Sequence, residues 1–455
     1  MIHKFKAKDI NILLDTNSGG VHVVDDITYD VLDYVEPPFT EECPDIVFEK
    51  LSDKYSAEDL KEAYAEILSL YEEKLLFSDD IYGDFANTAV KSPIKAMCLH
   101  IAHDCNLRCK YCFASTGDFG TGRKLMPLSV GKQAIDFLLE KSEDRENLEL
   151  DFFGGEPLMN WDVVKEIVKY ARSKEKEYGK NFRFTITTNG MLLDDEKIDF
   201  INKEMYNVVL SIDGRKEVND RMRVRVDGSG SYDRIVERYK KLVEKRGDKE
   251  YYVRGTYTNY NLDFSEDVMH LYEAGFDQIS VEPVMEDPSV DFAITEKDLD
   301  KIYSEYDKLV EKISEIKKNK GTINFFHFMI DLDQGPCVIK RLRGCGSGNE
   351  YVSITPDGDI YPCHQFVGHE EYKMGNLEEG TFNEDIKQEF AGCHVYSKPS
   401  CRECWARFYC SGGCNANNYI YQGDIHNCHE LSCKIMRKRL ESAILMKVME
   451  QLEEK

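Results

Sequence analysis

Residues 103–113 read HDCNLRCKYCF, and the three cysteines in this stretch, Cys105, Cys109 and Cys112, are spaced C-x3-C-x2-C. A closed [4Fe–4S] cluster takes four thiolates. Three on one short loop leave an iron open to an outside ligand, so the centre can do chemistry as well as carry electrons. C-x2-C halves also occur in zinc sites, and the rest of the chain has to arbitrate.

The chain is 455 residues long, a length for which about three domains is the prior. Its composition, 42% hydrophobic and 31% charged, is that of a soluble globular protein. No apolar run approaches the roughly 20 residues of a membrane helix, so no membrane partner is expected. The opening MIHKFKAKDINILLD places Asp9 and Asp15 where a signal peptide would be apolar. A net charge of −25 argues against nucleic-acid binding, which rests on a basic surface. With no export signal, the fifteen cysteines read as metal ligands in a reducing cytoplasm rather than as disulfides. An open-iron cluster is oxygen-labile, so an anaerobe is the expected setting.

Four segments follow from the pattern. Residues 1–80 form a small α+β unit. Strand-like runs 11–15 and 21–25 flank the turn signal NSGG. A helix is predicted over 28–35 and another over 57–77, with Leu60, Tyr64, Leu68, Tyr71 and Leu75 on one face. Residues 81–93 read as a linker. From 94 to 330, strand-like runs at 94–101, 148–153, 182–188, 206–212, 251–257 and 277–283 alternate with helical patterns such as 128–141, 162–174, 232–245 and 264–274. The fold class is therefore α/β, a parallel sheet with right-handed crossovers. Six repeats are too few to close a TIM barrel, which predicts a partial (β/α)6 TIM-like barrel. The cysteine loop follows the first strand, at the edge where such folds place their chemistry. Residues 331–455 are loop-rich, hold ten of the fifteen cysteines and end in a helix carrying Ile435, Leu440, Ile444, Val448 and Leu452. Metal sites would supply much of that block's folding energy.

The cysteine spacing, with Tyr111 before the third cysteine, resembles the signature of the radical S-adenosylmethionine (SAM) enzymes. Successive loops extend the resemblance. The second carries Gly154, Gly155, Glu156 and Pro157, similar to the motif that receives the methionyl amino group, where glycines allow close backbone approach. The third reads TTNG, with Thr187 and Asn189; the fourth reads SIDG, with Ser211 and Asp213. Their short polar side chains can hydrogen-bond ribose hydroxyls and the methionyl carboxylate. Arg223, in NDRMR, is a further candidate contact to SAM. Ile279 and Val281 can pack on adenine, with plain core packing as the competing role.

The C-terminal cysteines form a second pattern: Cys345, then Gly358 and Cys363, then Cys401, Cys404, Cys410 and Cys414 as C-x2-C-x5-C-x3-C, and finally Cys433. The set resembles the SPASM domain, which holds two auxiliary [4Fe–4S] clusters, three clusters in all. The resemblance implies a distal cluster on Cys401, Cys404, Cys410 and Cys433, with Cys428 as an alternative to Cys433. It implies a nearer cluster on Cys345, Cys363 and Cys414, completed by Cys337 or by a substrate thiolate. Cys43, Cys98 and Cys393 have no cluster spacing and read as buried thiols. In sulfatase-type maturases of this group an aspartate base follows the cysteine corresponding to Cys363. His364 stands there in this chain, as a base or as a structural residue.

As a whole the chain resembles the maturases that put thioether crosslinks into six-cysteine (SCIFF) peptides. The resemblance implies a winged-helix-like N-terminal domain that adds a leader peptide to a sheet edge; a domain that only packs on the enzyme is the competing reading. It also implies SAM as cofactor, a cysteine-rich precursor peptide as partner and a reductant such as flavodoxin or ferredoxin. A 5′-deoxyadenosyl radical would abstract hydrogen from an acceptor residue, to whose carbon a cysteine sulfur then bonds. The rival classes are a sulfatase-type maturase oxidising Cys or Ser, and a non-enzymatic electron-transfer or zinc-binding protein.

Overall fold

Strict alternation builds the central sheet. In the strand Asn147–Gly154, Leu148, Leu150 and Phe152 are fully buried while Glu149, Asp151 and Phe153 project to the other face. In Gln278–Pro283, Ile279 and Val281 alternate in the same way with Ser280 and Glu282. One face therefore packs on helices and the other is left to line a lumen. The computed structural model describes residues 1–86, 92–332 and 338–453.

The N-terminal unit is an antiparallel sheet of β1 (Ile2–Ala7), β2 (Ile10–Asp15) and β3 (Val21–Val24), in that order, with helices Asp26–Val31, Asp45–Leu51 and Ala57–Glu72 beside it. β1 has no counterpart among the sequence expectations. It reads as polar because Lys4 and Lys6 alternate with apolar residues, yet both ammonium groups lie over the Tyr29 ring, 4.2 and 4.6 Å from its centroid. The helix expected over 28–35 runs Asp26–Val31, started by the Asp25 carboxylate that accepts from Thr28 N. The long helix buries Leu60, Ala63, Tyr64 and Ile67 and stops at Glu72. Leu75 is exposed and Leu76 is buried in its place. The true stripe is thus one step off the expected Leu68–Tyr71–Leu75 line.

β4 (Ala96–His103), with β5 (Lys124–Leu125) on its end, is followed by β6 (Asn147–Gly154), β7 (Asn181–Thr188), β8 (Met205–Ser211), β9 (Tyr252–Tyr257) and β10 (Gln278–Pro283). These six long strands are parallel in chain order, as expected for the partial barrel. β11 (Asn324–Phe325) adds a short parallel edge beside β10. The C-terminal block continues the same sheet: β12 (Tyr351–Ile354) lies parallel to β4, and β13 (Asp359–Tyr361), β14 (Gly375–Asn376) and β15 (Thr381–Phe382) extend it antiparallel. The hairpin carrying Cys363 is therefore registered directly against the strand that leads into Cys105.

Tyr82 and Ala86, inside the expected linker, pack on Phe408 and on Leu342, Val395 and Cys401. The helix Glu430–Glu453 buries Ile435, Leu440, Ile444 and Val448 but leaves Leu452 exposed. It is tied to helix Leu299–Lys318 by Lys438–Asp307 at 2.6 Å and to β10 by Arg439–Glu282 at 3.0 Å. Among the described residues no helix is long and apolar enough to cross a membrane.

Candidate functional site: a thiol loop and two thiol nests

The loops after β4, β6, β7 and β8 meet at one end of the sheet. Cys105 Sγ receives Leu107 N at 3.4 Å and Asn189 Nδ2 at 3.5 Å. Asn189 also donates to Asn106 Oδ1 at 2.7 Å, fastening the third loop to the first. Desolvation pushes the Cys105 and Cys109 thiols up to about 12 and about 11. Thiolates are stable there only beside compensating positive charge. Arg223 supplies part of it at Cys109, and iron would supply the rest. The donor set, three thiols on one loop with N–H groups aimed at sulfur, fits an iron–sulfur cluster on Cys105, Cys109 and Cys112.

Gly154 and Gly155 serve this assembly in an unexpected way. The sequence offers them as room for a ligand, but a Cβ on Gly155 would sit 2.1 Å from Asp104 O, and one on Gly154 (φ +120) 2.3 Å from Ala102 O. The room is taken by the cysteine loop itself. Gly155→Ala should therefore displace Asp104 and its neighbour Cys105, and anaerobic reconstitution should show the loss of one cluster's iron. Full iron content in that variant would refute the close approach.

Glu156 is buried and engaged. Its carboxylate accepts from Thr188 Oγ1 at 2.8 Å, Leu158 N at 3.1 Å and Asn189 N at 2.8 Å, stitching the second loop to the third. Pro157 opens the short turn behind it. Asp213, expected to reach ribose hydroxyls, is completely buried. It accepts from Tyr111 Oη (2.6 Å), Arg223 Nε (2.9 Å) and Thr256 N (3.1 Å). Tyr111 of the signature and Arg223, a candidate SAM contact, thus join Asp213 in a buried trio beside Cys109. Ile279 is fully buried in the strand–helix core, opposite the lumen-facing Ser280 and Glu282. Thr187 and Ser211 stand half-buried at the ends of β7 and β8, on the lumen side of the alternation.

The auxiliary cysteines gather in two nests. Cys345, Cys363 and Cys414 form the nearer; burial first, then the charges of Cys414 and Cys345, push the Cys363 thiol well above its ordinary value. Cys345 and Cys414 are exposed. Cys337, the possible fourth ligand, lies outside the described residues. The distal nest holds Cys401, Cys404, Cys410 and Cys433, and Cys428 sits inside it, its sulfur 3.4 Å from that of Cys401. The sequence offers Cys428 as an alternative to Cys433; the fold brings both in.

His364 joins the first loop to the nearer nest. Its ring lies 5.4 Å from Phe113, next to Cys112, and 5.0 Å from Phe153 on β6. Burial, with Arg254 facing it, pushes its pKa down to about 4, so the ring is neutral at neutral pH. Phe113, Ser115, His364, Gln365, His369 and Ile420 are among the walls of a cavity of about 260 Å³. Sequence reasoning missed a second histidine set behind it: His100 Nδ1 is 2.9 Å from His103 Nε2, and His100 Nε2 is 2.9 Å from Ser353 on β12. Its only signal was an alternating His in CLHIAH, which an apolar strand hides.

Comparison with known proteins places this geometry. The profile of the Radical SAM superfamily matches residues 99–267, and that of SPASM, an iron–sulfur cluster-binding domain, matches residues 345–405. An uncharacterised protein of Methanocaldococcus jannaschii is 30% identical over 313 residues, covering 66% of this chain and 95% of that protein. A cysteine-type anaerobic sulfatase-maturating enzyme of Clostridium novyi is 26% identical over 339 residues, 69% of this chain and 86% of the enzyme. The crystal structure of Streptococcus suis SuiB bound to S-adenosylmethionine aligns with 94% of this chain and 99% of its own at TM-score 0.55 and 18% identity. SuiB has also been solved with its precursor peptide SuiA.

Proposed function

Because this chain belongs to the radical SAM superfamily and carries the SPASM iron–sulfur domain, we propose that it installs thioether crosslinks in a ribosomally made, cysteine-rich precursor peptide. The observation that carries the reading is His364. It follows a thiol of the nearer nest and packs on the aromatic ring that follows Cys112, so the residues next to Cys112 and Cys363 line one cavity. A peptide side chain entering it would come beside both loops.

When bound, SAM and its cluster supply hydrogen abstraction, and the auxiliary clusters supply a thiolate anchor and an electron sink. The chain's own residues do the rest. Leu107 N and Asn189 Nδ2 hold the Cys105 sulfur; Arg223 offsets charge at Cys109; Glu156 locks two loops together. Phe113 and Phe153 pack against the His364 ring, whose neutral imidazole can accept a hydrogen bond from a substrate thiol. Exposed Cys345 and Cys414 leave the nearer nest open to such a thiol. The alignment with SuiB runs the length of the chain, which supports the N-terminal sheet, with its edge strand β3, as the leader-peptide site. A flavodoxin or ferredoxin in an anaerobic cytoplasm would supply electrons.

The likeness to a cysteine-type sulfatase-maturating enzyme favours a second reading, oxidation of a single Cys or Ser side chain. Anaerobic turnover of the reconstituted chain with SAM, a reductant and a co-encoded cysteine-rich peptide separates the two by tandem mass spectrometry. The expected product has lost two hydrogens per bridge, and its fragments map a bond from cysteine sulfur to an acceptor carbon. An aldehyde at one cysteine or serine, with no bridge, would transfer the assignment to the second reading.

A further inference from the structure

The interval between two distal thiols, Cys404-Trp-Ala-Arg-Phe-Tyr-Cys410, is also a docking surface. Its alternate side chains all meet the N-terminal unit. The Trp405 ring stacks on His3 of β1 with centroids 3.8 Å apart and planes 2° from parallel. His3 is in turn held by Glu441 at 2.9 Å. Arg407, 5% exposed, donates through Nη2 to Asn17 Oδ1 at 2.7 Å and to Asp80 Oδ2 at 2.9 Å. The Tyr409 hydroxyl lies against Gly19, where a Cβ would come within 3.3 Å of it.

The receiving turn is itself braced. Asp15 Oδ1 accepts from Asn17 N at 3.1 Å and Ser18 N at 2.9 Å, and Asn17 Nδ2 donates to Ser78 O at 2.8 Å. Phe408 anchors this interval on its other side, against Tyr82 and the cluster of Leu342 and Val395. Here Trp405, Arg407 and Tyr409 are held by residues more than 320 positions away in the chain.

We propose that the N-terminal unit is a structural part of the distal cluster site, with His3 and Asn17 as positioning residues that act through Trp405 and Arg407 on Cys404 and Cys410. The inference rests on the reading that the distal nest holds an iron–sulfur cluster. Partners that orient ligand side chains typically account for about 10–100-fold in metal affinity. Release of distal iron to a chelator should accelerate by about that factor when they are removed.

The test uses full-length, anaerobically reconstituted protein carrying His3→Ala, Asn17→Ala, or both. Iron and sulfide content, iron release to a chelator, and the spectrum of each cluster are measured. The expected result is selective loss or lability of one cluster, while the SAM-responsive signal from Cys105, Cys109 and Cys112 reports an intact barrel. His3→Phe, which keeps the stacked ring, and Arg407→Lys, which keeps a donor for Asn17, should restore retention relative to His3→Ala and Arg407→Met. Variants with wild-type iron release from a wild type that holds the distal cluster would overturn this inference alone. A wild type with no distal cluster would overturn the three-cluster reading and this inference together.

Discussion

Chains carrying Ala at Cys105, Cys109 or Cys112 are expected to make no 5′-deoxyadenosine when reduced with SAM, while the two auxiliary nests keep their iron. Each substitution removes one of only three thiolates, and no neighbouring residue of the loop can replace it: Asn106, Leu107, Arg108, Lys110 and Tyr111 offer no sulfur. The two N–H groups aimed at Cys105 would then face no acceptor in a buried setting. A fall of at least about 1,000-fold in SAM cleavage, or ~4 kcal/mol in the barrier, is the expectation. The auxiliary nests lie on separate loops from Cys345 onward, so their absorbance should survive. Deoxyadenosine formation near the wild-type rate in any of the three variants would remove this loop from the reaction.

The residues that carry the chemistry were legible because spacing encodes them. Cys105, Cys109 and Cys112 sit on one loop, and each later motif, GGEP, TTNG and SIDG, ends a strand of the sheet in the order read from the chain. What could not be read was which polar groups serve the protein rather than the ligand. Asp213 ends a strand like any ligand-facing residue, yet its oxygens are consumed by Tyr111, Arg223 and Thr256 N. Gly154 and Gly155 do provide close approach, but to Ala102 O and Asp104 O. Cys428 fits the spacing rule less well than Cys433, and only the fold brings its sulfur within 3.4 Å of Cys401. In each case the deciding fact is a contact between residues far apart in the chain, which periodicity does not record.

The buried trio beside Cys109 gives the second large effect. Arg223 is 11% exposed and Asp213 is not exposed at all, so Asp213→Ala strands a guanidinium in a low-dielectric site. Breaking one partner of a buried pair costs about 3–5 kcal/mol, whereas replacing both by apolar groups is often close to neutral. Asp213→Ala should therefore lower the urea midpoint of the anaerobic protein strongly, and Asp213→Ala with Arg223→Met should recover most of the loss. Arg223→Met alone removes the cation beside Cys109 while Asp213 keeps its charge, so in that variant the first cluster should become harder to reduce and its EPR-monitored potential should move to more negative values. Equal midpoints for the single and double variants would mean that the pair is not coupled. An unshifted potential in Arg223→Met would mean that the guanidinium serves the fold alone.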